Sequence, residues 1–136
     1  MLNLDKLEKA ITSLETAFNF YHSGTFALGS QQKNLLRDGV IQRFAYTFEL
    51  SWKTLKRYLE IYGLEKVDNF TNKELFRVGY EMGLLDDAAA WMGYLKRRNL
   101  TSHVYEDEIA KKVYAAVEDF LRDAEFLLQK LKASLK

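Results

Sequence analysis

The chain has 136 residues, 48% of them hydrophobic and 29% charged, and a formal net charge of +1. That balance predicts a single globular domain over residues 1–136 with a substantial core, and excludes a polyanion-binding surface spread over the whole molecule. Cysteine and proline are both absent, which excludes a disulfide framework and a thiolate zinc site and leaves helices without their strongest breaker.

Taken in order, the apolar residues recur at helical spacing. Leu4, Leu7, Ile11, Leu14, Ala17 or Phe18, and Tyr21 form one stripe, with Asn3 placed to cap it and Ser23-Gly24 to end it. Residues 24–34 contain Gly24, Gly29, Ser30 and two glutamines without any period, and read as a loop. A second helix is expected from about Leu35 to Tyr62, on Ile41, Phe44 or Ala45, Phe48, Trp52, Leu55, Leu59 and Tyr62, with Gly63 as its stop. Thr71-Asn72-Lys73-Glu74 has the spacing of a capping box and opens a short helix ending near Gly79 or Gly83. Asp86 and Asp87 are placed to cap a fourth helix, Ala88 to about Asn99, which bears Trp91, Tyr94 and Leu95. The last helix is expected from about Glu106 to Leu135, on Ile109, Val113, Ala116 or Val117, Phe120, Ala124, Leu127 or Leu128, Leu131 and Leu135.

Long helices, each with one apolar stripe, specify an all-α antiparallel up-and-down bundle of four to five helices. Phe44, Phe48, Trp52 and Trp91 sit at helical spacing and read as core. No apolar run approaches the length of a bilayer span, and the mixed-charge amphipathic N-terminus is unlike a signal peptide. With the missing cysteines, this points to a cytoplasmic protein that makes no membrane contact.

The stretch Arg98-Asn99-Leu100-Thr101-Ser102-His103-Val104-Tyr105 brings a guanidinium, an amide, an imidazole and a phenol within eight residues and holds one of the two histidines. On an unbroken helix Arg98 and His103 would point about 140° apart. The acids Glu106, Asp107 and Glu108 look like the first turn of a new helix, where negative charge suits the dipole, so a break near Leu100-Thr101 is expected. Arginine binds phosphate in bidentate fashion and holds the charge of a phosphorane, while histidine moves protons near neutral pH. Arg98 and His103 therefore fit metal-free RNA cleavage as catalytic groups. One histidine supplies an acid or a base, so a symmetric dimer joining two such sites would complete the set. The alternative is a structural helix junction.

Lys96 and Arg97 are candidates for holding a nucleic-acid backbone, against the plainer reading of a solvated face. Glu49 falls within the stripe of the second helix. It is either a wet residue at the stripe's edge or a buried partner for an arginine such as Arg98. His22 and His103 lack any neighbour at metal-ligand spacing, so no metal site is expected. No glycine-rich phosphate loop or pair of catalytic aspartates is present, so the chain does not itself look like a nucleotidyltransferase.

Two motifs carry a family resemblance. Val40-Ile41-Gln42-Arg43-Phe44-Ala45-Tyr46-Thr47-Phe48-Glu49-Leu50-Ser51-Trp52-Lys53-Thr54-Leu55-Lys56 resembles the signature of the nucleotidyltransferase substrate-binding protein family. Trp91, followed by Arg98-Asn99 and Ser102-His103-Val104-Tyr105, resembles its second signature. The family belongs to the HEPN superfamily of helical bundles. The resemblance implies a left-handed up-and-down bundle that forms a homodimer within a hetero-oligomer, with a separate minimal nucleotidyltransferase as partner. It implies a toxin–antitoxin-like pair in which this chain is a metal-independent ribonuclease acting on RNA without a cofactor. An Arg-x4-His-x-Tyr motif would fall on Arg98, His103 and Tyr105, with Asn99 as the polar residue after the arginine. In related pairs the partner enzyme adds AMP to the motif tyrosine, here Tyr105. The alternative that the resemblance carries is a non-catalytic subunit presenting substrate or nucleotide to the nucleotidyltransferase.

Overall fold

The computed structural model describes residues 2–24, 28–63 and 66–136. Among them six α-helices and two short 3₁₀ turns follow one another, with no strand. The helices are α1 (Asp5–Gly24), α2 (Ser30–Tyr62), α3 (Asn72–Glu81), α4 (Ala88–Asn99), α5 (Asp107–Tyr114) and α6 (Val117–Ser134). The all-α helical bundle expected from the periodicity is what forms. α2, at 33 residues, is the spine: α1, α4, α5 and α6 all pack against it.

Local signals set most of the ends. The Asn3 side chain accepts the Asp5 N–H at 2.8 Å and starts α1. The Thr71 hydroxyl accepts the Glu74 N–H while the Glu74 carboxylate takes the Thr71 N–H, both at 3.1 Å, so the capping box is closed in both directions. Asp87 accepts the Ala90 N–H at 3.1 Å and caps α4. Gly63 (φ +133°) ends α2, and Gly83 (φ +78°) follows α3 with Leu84 N–H bonded back to the Gly79 carbonyl at 2.9 Å. A side chain is strained at that left-handed turn and glycine is not.

The core is built around an aromatic cluster. Phe120 of α6 meets Phe44 and Trp91 edge-on, at ring separations of 5.1 and 5.6 Å. Phe48 and Phe76 pack against the same indole, at 6.0 and 5.8 Å. Each such pair adds about 0.5–1.5 kcal/mol beyond the area it buries. Around it close Leu7, Ile11 and Leu14 of α1, Leu55 and Leu59 of α2, and Leu127 and Leu131 of α6.

Four expectations are corrected. Part of the stretch read as loop, residues 24–34, is helical: α2 begins at Ser30, five residues before the expected Leu35. Its first two turns are mostly solvated, so no apolar period marks them; residues 25–27 lie outside the described residues. Trp52 is half-buried, because the buried face of α2 runs through Ser51, Leu55 and Tyr58 instead, and Tyr62, on that face but the last residue of the helix, is exposed. The last helix is two. The Ala116 N–H bonds to the Val113 carbonyl, three residues back, and ψ at Ala115 and Ala116 is −19° and −9°. That is a tightened turn between α5 and α6. Alanine favours continuation, so tertiary packing of Val113 and Val117, both fully buried, overrides local preference here.

Candidate active site

α4 ends in three consecutive cations, Lys96, Arg97 and Arg98, where positive charge offsets the helix dipole. The chain then tightens into a 3₁₀ turn over Leu100–His103, and the Thr101 hydroxyl donates to the Arg98 carbonyl at 2.7 Å. The Glu106 N–H closes the turn on the His103 carbonyl at 3.0 Å. Glu106 itself is extended (φ −84°, ψ 118°), and α5 begins at Asp107. The expected break is therefore present, as a tightening at Leu100 followed by a change of direction at Glu106.

The motif is held from both sides by α2. On its N-terminal side Arg98 Nε lies 3.1 Å from Glu49 Oε1. The Nε–H is shielded from water and not aligned for a hydrogen bond, so this is a charge contact. The other Glu49 oxygen accepts the Trp52 indole N–H at 3.2 Å, and Lys53 stands 3.9 Å away. Glu49 is thus neither a free edge residue nor a fully buried one: its side chain is 29% exposed and engaged by three neighbours.

On the C-terminal side the clamp is Arg37, which sequence reasoning missed. It is 7% exposed and donates to Asp107, the first residue of α5, at 2.8 Å. Hydrogen bonds from Arg37 and then Lys111 hold the Asp107 carboxyl below the usual carboxylate range. The signal was available: Arg37, Ile41, Phe44 and Phe48 share one helical stripe, so a cation in that register must be paired.

Between the clamps the chemistry is presented to solvent. Asn99 and His103 are exposed, and Tyr105 is 79% exposed with its ring centroid 6.1 Å from that of His103. Within one chain no hydrogen bond or ion pair joins Arg98 to His103 among the described residues. Lys96 is exposed and Arg97 half-buried; both turn toward α3. The other histidine has a structural role. His22 Nε2 lies 2.7 Å from the Tyr114 hydroxyl, within a ring cluster with Phe18 and Tyr21, and burial pushes the Tyr114 phenol up. Among the described residues no three histidine, cysteine or acidic side chains converge as metal ligands.

The sequence matches the family model described as nucleotidyltransferase substrate binding protein like, over residues 2–133. The chain belongs to that family. It is 35% identical, over 138 aligned residues, to the probable ribonuclease HepT of Haemophilus influenzae, covering 96% of this chain and 92% of that one. Solved structures of family-like chains agree. One from Haemophilus influenzae, described as the fold of a substrate-binding domain of a nucleotidyltransferase, superposes with a TM-score of 0.90 at 34% identity, over 96% of this chain and 99% of that one. A crystal structure from Thermus thermophilus gives a TM-score of 0.74 at 32% identity, over 92% and 98%. The family's helical bundle is therefore the fold of this chain. No helix of the described residues is long and apolar enough to cross a membrane.

Proposed function

We propose that this chain is the HEPN subunit of a two-component, toxin–antitoxin-like system, a metal-independent ribonuclease paired with a separate minimal nucleotidyltransferase. The observation that carries the reading is Arg98 at the end of α4, engaged by Glu49, with His103 and Tyr105 exposed on the turn that follows. The likeness to a probable ribonuclease supports it.

The chemistry is transfer of a phosphodiester to its own 2′-oxygen. His103 takes the 2′-hydroxyl proton as the 2′-oxygen bonds to phosphorus. The P–O5′ bond breaks, and the leaving oxygen takes a proton from a second imidazole. Each chain has a single histidine at the motif, so that second group is His103 of another copy, facing the first across a symmetric homodimer. Glu49 engages Arg98 through Nε, which leaves the terminal guanidinium nitrogens for the phosphorane oxygens. The Tyr105 phenol is open to nucleotidyl transfer from the partner: its oxygen attacks the α-phosphorus of ATP, pyrophosphate leaves, and the attached AMP would cover His103.

The test is incubation of purified protein with RNA in EDTA. Cleavage should fall at least about 100-fold in His103→Ala. Equal cleavage by that variant would remove the reading. A second reading, a non-catalytic subunit that presents substrate or nucleotide to the nucleotidyltransferase, is favoured by the descriptions of the family and of its Haemophilus structure. Co-purification with the nucleotidyltransferase, together with a change in that enzyme's activity and no RNA cleavage, would select it.

A further inference from the structure

A groove of about 820 Å³ runs between α3 and α4. Lys73 and Arg77 stand on its α3 wall, Lys96 and Arg97 on its α4 wall, and Met92 and Gly93 lie on its floor. One carboxylate, Glu74, reaches it, and that carboxylate is already turned back to cap α3 through Thr71. The balance is four cations against one acid in a chain whose net charge is +1, so uncompensated positive charge is concentrated here.

None of these four cations is in an ion pair among the described residues, whereas Arg37, Arg98 and Lys111 around the motif are all paired. Arg97 goes further. Its Nε is shielded from water and has no hydrogen-bond partner. At Gly93 an added Cβ would meet nothing within 4 Å, so the floor is open.

The groove also has a direction. Lys96 and Arg97 lie in the last turn of α4, so the groove ends beside the turn that carries His103, although Arg98 itself faces Glu49 on α2. We infer that the α3–α4 groove binds single-stranded RNA, with phosphates on Lys73, Arg77, Lys96 and Arg97 and bases over the Met92–Gly93 floor, and feeds it to the Arg98–His103 turn. The occupant is a flexible polyanion because the charge is a track of four cations along two helices rather than one enclosed point. The floor has no array of polar groups to read base edges, so sequence preference should be weak. This inference rests on the ribonuclease reading and adds the path by which its substrate arrives.

The experiment uses full-length His103→Ala protein, so that RNA survives, and fluorescence anisotropy with a labelled single-stranded RNA over a salt series. Adding K73Q and R77Q should weaken binding at least ten-fold at 0.1 M salt. It should also reduce the slope of log affinity against log salt by about 1.4, since each phosphate contact with a single strand contributes about 0.7. Adding Gly93→Leu instead should weaken binding by filling the floor while leaving the slope unchanged. Unchanged affinity and slope in K73Q/R77Q overturn the groove. So does a parent that binds no RNA, and cleavage by the wild-type chain then tells whether the ribonuclease reading goes with it. Break-up of a dimer by K73Q/R77Q in sedimentation, with RNA binding lost only as a consequence, also overturns the inference and assigns the groove to a second copy.

Discussion

Arg98 Nε sits 3.1 Å from Glu49 Oε1, and that contact ties the turn bearing His103 to the middle of the longest helix. Both side chains are about one-third exposed, at 35% and 29%, so the pair adds little to stability, on the order of 0–1 kcal/mol. On the proposed ribonuclease reading its use is orientation. A guanidinium anchored through Nε has fewer ways to present its terminal nitrogens, and a bidentate phosphate contact needs them in one plane.

Glu49→Gln should therefore separate activity from folding. RNA cleavage is expected to fall about ten-fold, with kcat rather than KM carrying the loss, while the unfolding midpoint moves by only a few degrees. Arg98→Lys should not restore activity, since an ammonium cannot make the forked contact. A Glu49→Gln variant with wild-type kcat would show that the carboxylate does not position Arg98.

The second clamp behaves differently because Arg37 is buried and its partner is not. Asp107→Ala leaves the guanidinium without its strongest acceptor and should destabilise the fold more than the double variant Arg37→Met/Asp107→Ala, which removes the stranded charge as well. Equal melting temperatures for the two would count against the clamp.

The same contact gives a pH dependence. The Asp107 carboxyl is held below its ordinary value, first by the hydrogen bond from Arg37 and then by Lys111. Its contribution is therefore fully present above about pH 4, the unfolded value, and is lost as pH falls through the lower folded value. Asp107→Asn should flatten the acid limb of the stability curve. Denaturant titrations between pH 2 and 7 would show an unaltered limb if the carboxylate were idle.

Trp91 tests the core. It is 1% exposed, touches Phe48, Phe76, Tyr94 and Phe120, and its indole N–H has no hydrogen-bond partner. Trp91→Ala should cost about 3–5 kcal/mol in chemical denaturation. Trp91→Phe should cost much less, because it keeps the ring and removes an unsatisfied donor. Similar losses for the two would mean that the indole N–H is satisfied in solution.

Tyr105, 79% exposed, should be dispensable for folding. Tyr105→Phe is expected to leave the unfolding curve unchanged and to abolish label transfer from ATP by the partner nucleotidyltransferase, while RNA cleavage persists. Undiminished labelling of the variant would place the modification on another residue.

Much of this architecture was written in local patterns. The Thr71–Glu74 box, Asp87 and the glycines at positions 63 and 83 are information carried within one turn of chain and formed as read, as did most of each helical stripe. Two motifs in the right order were enough to indicate the family. The failures share a cause. The start of α2 is solvated and so has no apolar period, and the turn at Ala115–Ala116 runs against the preference of its own residues. Glu49 could be narrowed to two readings but not resolved, because a stripe position does not say which helix faces it.

What a single turn of chain can encode, the amino-acid order settled: helix content, caps, the apolar faces and the chemical groups of the motif. The pairings of Glu49 with Arg98 and of Arg37 with Asp107 span 49 and 70 residues, and the α3–α4 groove exists only where two walls of cations meet. Those depend on how far each helix rotates and slides against α2. Packing of Phe44, Phe48, Trp91 and Phe120 fixes that rotation, and no local pattern contains it.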